Sequence, residues 1–151
     1  MDFISENNIF LKNKSLSKKE LFHFIAKTSK DLGISDSIEE VEKGLFDREK
    51  EGSTIIDTLT AIPHARVDSI KKLQVILILL EKPIEYYSGE NVDLIYSILA
   101  PLKANDEFID ILTSVANLIQ DSELAQLIRD SNIGDEVNII NKIEYILKNN
   151  I

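Results

Sequence analysis

Two histidines, no cysteine and no tryptophan leave this 151-residue chain with few side chains able to act as nucleophiles. His64 lies in the stretch Thr60-Ala-Ile-Pro-His-Ala-Arg66. Proline fixes its own φ and drives Ile62 toward an extended conformation, so the imidazole is expected to project from a defined corner. With an ordinary pKa of about 6.5, imidazole is mostly neutral near pH 7 and keeps one ring nitrogen free to attack phosphorus. A phosphoryl group moves through a loose, in-line transition state with its charge on the equatorial oxygens. Positioned donors therefore matter more than a strong base. Arg66 offers a planar fork for phosphate oxygens, and Arg48, Ser53 and Thr54 are the other available donors.

Each of these residues also has a plainer role open to it. His64 taken without its flanking blocks reads more safely as a loop histidine satisfied by a backbone hydrogen bond. Arg66 fits a solvated charge or a weak surface ion pair. Ser53 and Thr54 follow Gly52 and fit a capped turn. Arg48 falls where a cation is favoured by a helix C-terminus. The other titratable residues give less. His23 groups with Lys27 and Lys30 on the predicted solvent side of a helix, and the run Glu39, Glu40, Glu42 reads as a solvated face rather than a metal site. No Walker-type phosphate loop is present among only five glycines, which argues against direct use of ATP. Nothing in the sequence calls for a metal or an organic cofactor.

Composition narrows the class. A hydrophobic content of 44% over 151 residues supports one domain with its own core, spanning residues 1–151. The longest apolar run, Val75 to Leu80, is far short of the roughly 20 residues that cross a bilayer. The N-terminal segment lacks a basic leader, so a cytoplasmic protein with no membrane insertion is expected. A net charge of -9 argues against a nucleic-acid partner, which needs clustered Lys and Arg.

The elements that must position His64 follow from periodicity. Residues 8–12 read as a short strand, and Ser17-Lys-Lys-Glu20 has the spacing of a helix capping box. Leu21, Ile25, Thr28 and Leu32 recur at helical spacing up to a stop at Gly33. A second helix is predicted from Ser35 or Ser37 to Gly52, burying Ile38, Val41 and Leu45 and carrying Arg48 and Lys50 in its last turn. Residues 54–56 and 58–62 are β-prone, and the run 73–80 suits a strand buried on both faces. Pro83 and Ser88-Gly89 are expected to mark turns before a second central strand at 92–99. Helices should return from Asn105, with a last one near Asp135 that buries Val137, Ile140, Ile143 and Leu147. Together these predict an α/β fold with a mixed sheet covered by helices on both faces.

Three blocks in this order, Arg48-Glu-Lys-Glu-Gly-Ser-Thr54, Ala61-Ile-Pro-His-Ala-Arg66 and Ala100-Pro-Leu-Lys-Ala-Asn-Asp-Glu107, resemble the enzyme IIA domain of the bacterial sugar phosphotransferase system. The branch is the one serving fructose, mannitol and nitrogen regulation, and the resemblance covers nearly the whole chain. It implies a three-layer α/β/α sandwich with a mixed sheet. It also implies a relay in which His64 takes a phosphoryl group from phosphorylated HPr and passes it to a IIB domain for sugar uptake. In the family, the segment matching Arg48 to Thr54 folds beside the histidine, which makes Arg48, Ser53 and Thr54 candidates for supporting the phosphate, with Arg66.

Two departures bear on this expectation. Many family members carry a second histidine beside the phosphorylated one, where this chain has Phe108, which cannot donate a hydrogen bond. Between Thr54 and His64 the family often has glycines, whereas this chain has Ile55, Asp57, Leu59 and Thr60. These reach positive φ less cheaply, so a more strand-like approach to His64 is expected. Three readings remain open: a phosphocarrier, a regulator whose binding follows the phosphorylation state of His64, and a non-catalytic binding module.

Overall fold

A computed structural model describes residues 1–149. In chain order the elements are β1 (Ile9–Asn13), α1 (Lys18–Asp31), α2 (Ile38–Lys50), β2 (Ile55–Asp57), β3 (Thr60–Ala61), β4 (His64–Arg66), β5 (Gln74–Tyr87), β6 (Glu90–Ala100), α3 (Asn105–Gln120), α4 (Ser122–Asp130) and α5 (Glu136–Asn149). The helix starts follow the expected chemistry. Ser17 caps α1 by accepting the Glu20 N–H at 3.1 Å, while the Glu20 carboxylate takes the Leu16 N–H. Ser37 caps α2 in the same way. Each cap contributes about 1 kcal/mol by satisfying a donor that the helix leaves orphaned.

The sheet runs β1-β5-β6-β3-β2, with β4 also paired to β6. Strands β5 and β6 are antiparallel, and β1 lies parallel to β5. Along its other edge β6 takes two short parallel partners in succession, β3 opposite Leu94 and Ile95, then β4 opposite residues 98–100. The sheet is therefore mixed. Alternation along β5 divides the interior in two: Val75, Leu77 and Leu79 pack with α3, α4 and α5, and Ile76, Ile78 and Leu80 pack with α1 and α2. The result is the expected three-layer α/β/α arrangement. The run 73–80 is apolar throughout because both of its faces are covered. Among the described residues no helix is long and apolar enough to cross a membrane.

Three local expectations differ from the structure. Pro83 lies inside β5 rather than at a turn. It is exposed and falls where the β5–β6 register shifts between Leu79 and Ile84, so its missing N–H costs no ladder bond there. In α5 the buried positions are Ile139, Ile143 and Ile146, while Val137 is half exposed. The apolar stripe is wide enough that periodicity alone leaves its rotation open, and packing against α3 and α4 selects the face. His64, expected at a corner, opens the strand β4.

The approach to His64 is strand-like, as β2 and β3 show, yet one residue in it still takes positive φ. Leu59 has φ 57. Its carbonyl accepts the N–H groups of Asp93 at 2.9 Å and Leu94 at 3.1 Å, which offset a strain of roughly 1–2 kcal/mol.

Candidate functional site

His64 sits on a broken edge strand. The Pro63 carbonyl accepts the Ile98 N–H at 3.0 Å, so the parallel pairing with β6 continues across the proline, and His64 pairs with Ile98. Outside that edge lies α2. Gly44 makes the close approach possible: a Cβ there would stand 2.8 Å from Val67 Cγ1 and 3.2 Å from Ala65 Cβ. One turn further along the same face, Arg48 reaches the imidazole.

Two hydrogen bonds assign the protons of His64. Its Nδ1 lies 2.8 Å from the Ile62 carbonyl, which can only accept. Its Nε2 lies 3.0 Å from Arg48 Nε, which can only donate. Both bonds are made only if the proton is on Nδ1 and the lone pair on Nε2. The pKa of the ring is held below its ordinary value, first by burial and then by the Arg48 charge, against the Ile62 hydrogen bond and the charges of Glu49 and Glu51. The neutral form of the ring is thus favoured.

Arg48 is the candidate donor brought into direct contact with His64. Its Nη1 is anchored on the Gly52 carbonyl at 2.9 Å, and its remaining terminal nitrogen makes no hydrogen bond to the described residues. Arg66 borders the same cavity of about 380 Å³. Its guanidinium stacks on Phe108, 4.9 Å from the ring centroid, while Nη2 donates to the Leu102 carbonyl at 3.1 Å and to Asn105 Oδ1. Arg66 Nε is buried without a partner. Phe108 lies on α3 with its ring 5.5 Å from the imidazole, so the phenyl group is next to His64.

The two hydroxyls are placed elsewhere. Ser53 Oγ accepts the Ile55 N–H at 3.3 Å, in the manner of a turn cap. Thr54 is buried, with its hydroxyl 2.6 Å from Glu49 Oε2 and 2.8 Å from the Tyr86 hydroxyl. Neither borders the cavity at His64. His23 is exposed and pairs with Glu42 at 2.8 Å, far from this chemistry in both environment and sequence. Sequence reasoning missed Gly44, Asn105 and Glu49. A glycine inside a strong helical pattern signals a close packing contact, so Gly44 had a readable sign; Asn105 and Glu49 had none.

Residues 2–143 match the family described as phosphoenolpyruvate-dependent sugar phosphotransferase system, EIIA 2. A nitrogen regulatory protein of Bradyrhizobium diazoefficiens is 30% identical over 132 residues, 86% of this chain and 86% of that protein. The mannitol-specific phosphotransferase enzyme IIA component of Bacillus subtilis is 25% identical over 147 residues, 95% of this chain and 99% of that protein. Among solved structures, the nitrogen regulatory protein IIA-Ntr of Neisseria meningitidis superposes with a TM-score of 0.78 at 28% identity, covering 88% of this chain and 92% of that one. The mannitol enzyme IIA of Escherichia coli, solved in complex with phosphorylated enzyme IIB, shares the fold with a TM-score of 0.76 at 23% identity, covering 92% and 97%. With the match spanning almost its whole length, the chain belongs to the EIIA 2 family of the phosphoenolpyruvate-dependent sugar phosphotransferase system.

Proposed function

We propose that the chain, acting as one domain over residues 1–151, is a phosphocarrier that takes a phosphoryl group from phosphorylated HPr on His64 Nε2 and hands it to a IIB domain. The observation that carries this reading is the pair of hydrogen bonds that place the proton on Nδ1 and the lone pair on Nε2, beside Arg48. In the transfer, the Nε2 lone pair attacks phosphorus as the bond from phosphorus to the donor's imidazole nitrogen breaks, and that electron pair returns to the donor. No proton needs to move on His64. Nδ1–H stays on the Ile62 carbonyl and so stabilises the charge that the ring acquires.

Arg48 changes partners in this scheme. In the resting site its Nε–H covers the nucleophilic lone pair, so it swings from nitrogen to a phosphoryl oxygen as the donor arrives. The anchored Nη1 keeps it nearby, and its unbonded terminal nitrogen supplies a second donor. Arg66 supports the phosphate from the α3 side, and Ser53 remains a candidate if the turn after α2 shifts. The protein works in the cytoplasm, where both partners meet it, without a cofactor.

Incubation with phosphoenolpyruvate, enzyme I and HPr is expected to add one acid-labile phosphate to the wild type by intact mass, and none to His64→Ala. A wild type that stays unlabelled with every cognate donor would overturn the carrier role. The similarity to nitrogen regulatory proteins favours a second reading, in which phosphorylation of His64 controls binding to a target protein. Label that no IIB protein removes, together with binding to a regulator that depends on the label, would select it.

A further inference from the structure

Glu49 follows Arg48 and takes no part in the transfer just described, yet its side chain is only 5% exposed and four donors converge on it. Oε2 receives the Thr54 hydroxyl at 2.6 Å and the Tyr86 hydroxyl at 2.9 Å. Oε1 receives Lys18 Nζ at 3.3 Å and lies 3.4 Å from the Thr54 N–H. Lys18 also stands 4.4 Å from the centroid of the Tyr86 ring. A carboxylate is removed from water at this cost only where several donors replace the water, and here they come from α1, β5 and the turn after α2. Burial and the Glu49 charge both push the Tyr86 hydroxyl toward its protonated form, which keeps it a donor.

Two paths lead from this carboxylate to the two nitrogens of His64. Along the first, Thr54, held through its side chain, accepts the Ile62 N–H on its carbonyl at 2.9 Å, and the Ile62 carbonyl takes Nδ1–H of His64. Along the second, Thr54 lies two residues beyond Gly52 in the segment after α2, and the Gly52 carbonyl anchors Arg48 Nη1 while Arg48 Nε covers Nε2. Resting on the reading that Nε2 is the nucleophile, we infer that Glu49, acting through Thr54, is the positioning residue that sets the tautomer and orientation of His64. Thr54 on this account orients the nucleophile instead of touching the phosphate. A buried clamp that merely holds elements together would lower stability when broken and leave the imidazole as it was.

The test measures the ring itself. Long-range proton–nitrogen spectra of the full ¹⁵N-labelled chain report the His64 tautomer in the wild type, Glu49→Gln, Thr54→Val and Thr54→Ser. Single-turnover labelling by phosphorylated HPr is run in parallel over a range of donor concentrations. The wild type is expected to be predominantly Nδ1–H. Thr54→Val and Glu49→Gln are expected to gain Nε2–H tautomer and to lose about tenfold in maximal rate, with little change in the half-saturating donor concentration. Thr54→Ser restores both.

An unchanged tautomer in folded Thr54→Val and Glu49→Gln, whatever their loss of thermal stability, overturns the inference. Should Glu49→Gln fail to fold, the Thr54→Val and Thr54→Ser pair decides alone. If the wild type never accepts a phosphoryl group, the carrier reading fails, and the tautomer spectra still decide the positioning role in either direction.

Discussion

On the α2 flank His64 meets Arg48, and behind Arg48 a set of polar groups that satisfy one another through Glu49, Thr54 and Gly52. On the α3 flank it meets a phenyl ring, and beyond that ring an arginine whose Nε has no partner. On the polar flank Arg48 Nε–H faces Nε2, which matches a proton on Nδ1. The aromatic flank sets Phe108 against the imidazole, whose burial holds its pKa down, and places Arg66 at the same cavity. On the proposed function, orientation of the nucleophile and accommodation of the phosphate are divided between the two helices that bracket one short strand. Where many relatives in the family use a second histidine, this chain uses a phenyl ring with an arginine stacked on it.

The largest effect that can break this comparison comes from the nucleophile, since His64→Ala is expected to abolish the added phosphate in intact mass spectra. Next is Arg48→Ala, expected to cut the maximal rate of phosphoryl acceptance about 100-fold, as loss of a charge-stabilising donor does elsewhere. Arg48→Lys should recover little of it, because one ammonium cannot reach both His64 Nε2 and the Gly52 carbonyl. If lysine restored the rate, the charge of the α2 flank would matter and its forked geometry would not.

Gly44→Val tests how the α2 flank is held. Its side chain overlaps Val67 and moves α2 off β4, at a cost of about 1–3 kcal/mol in chemical unfolding. Acceptance by His64 should fall with it, because Arg48 rides on the same helix. A wild-type rate in a destabilised Gly44→Val would show that Arg48 reaches His64 without this contact.

On the opposite flank Phe108→His is expected to raise the transfer rate only a few-fold, measured in single turnovers, because Arg66 already brings a cation to that side. Phe108 is 8% exposed and supports Arg66, so the exchange should also cost about 1 kcal/mol or more of stability. An unchanged rate would mean that the groups present already hold the phosphate.

The smallest expected effect is on pH dependence. Because the folded pKa of His64 lies below its unfolded value of 6.5, the neutral ring contributes stability that is complete above that value and is lost as pH falls through the folded pKa. Acceptance of the phosphoryl group should therefore be flat near pH 7 and half-lost at a pH below 6.5. In Arg48→Ala, NMR titration of the His64 ring should place its pKa higher than in the wild type, since the repulsion between the two cations is gone.

Much of the frame was legible in the residues. Ser17 and Ser37 cap helices because short hydroxyl side chains satisfy orphaned N–H groups, and this depends on neighbours only three residues away. The apolar run at 73–80 announced a strand covered on both sides. The strand β4 was not legible, since three residues carry no periodicity and their pairing is supplied by β6, more than thirty residues later. Nor was the fate of Thr54, whose hydroxyl looked available for phosphate and is occupied by a carboxylate five residues earlier and a tyrosine brought in by β5.

By itself, then, the sequence determined that one imidazole is the strongest candidate nucleophile and that most of the helices and the long central strands form where they do, while the family resemblance added that a phenyl ring stands where many relatives have a second imidazole. The first two reside in residue type, local capping and short-range periodicity. Only the tertiary structure decided which nitrogen of His64 lacks the proton, that Arg48 faces it, that Arg66 rests on Phe108, and that the Glu49 carboxylate is buried among Lys18, Thr54 and Tyr86. Hydrogen bonds have direction and reach about 3 Å, so they exist only once α2, β4 and α3 have packed around the edge of the sheet.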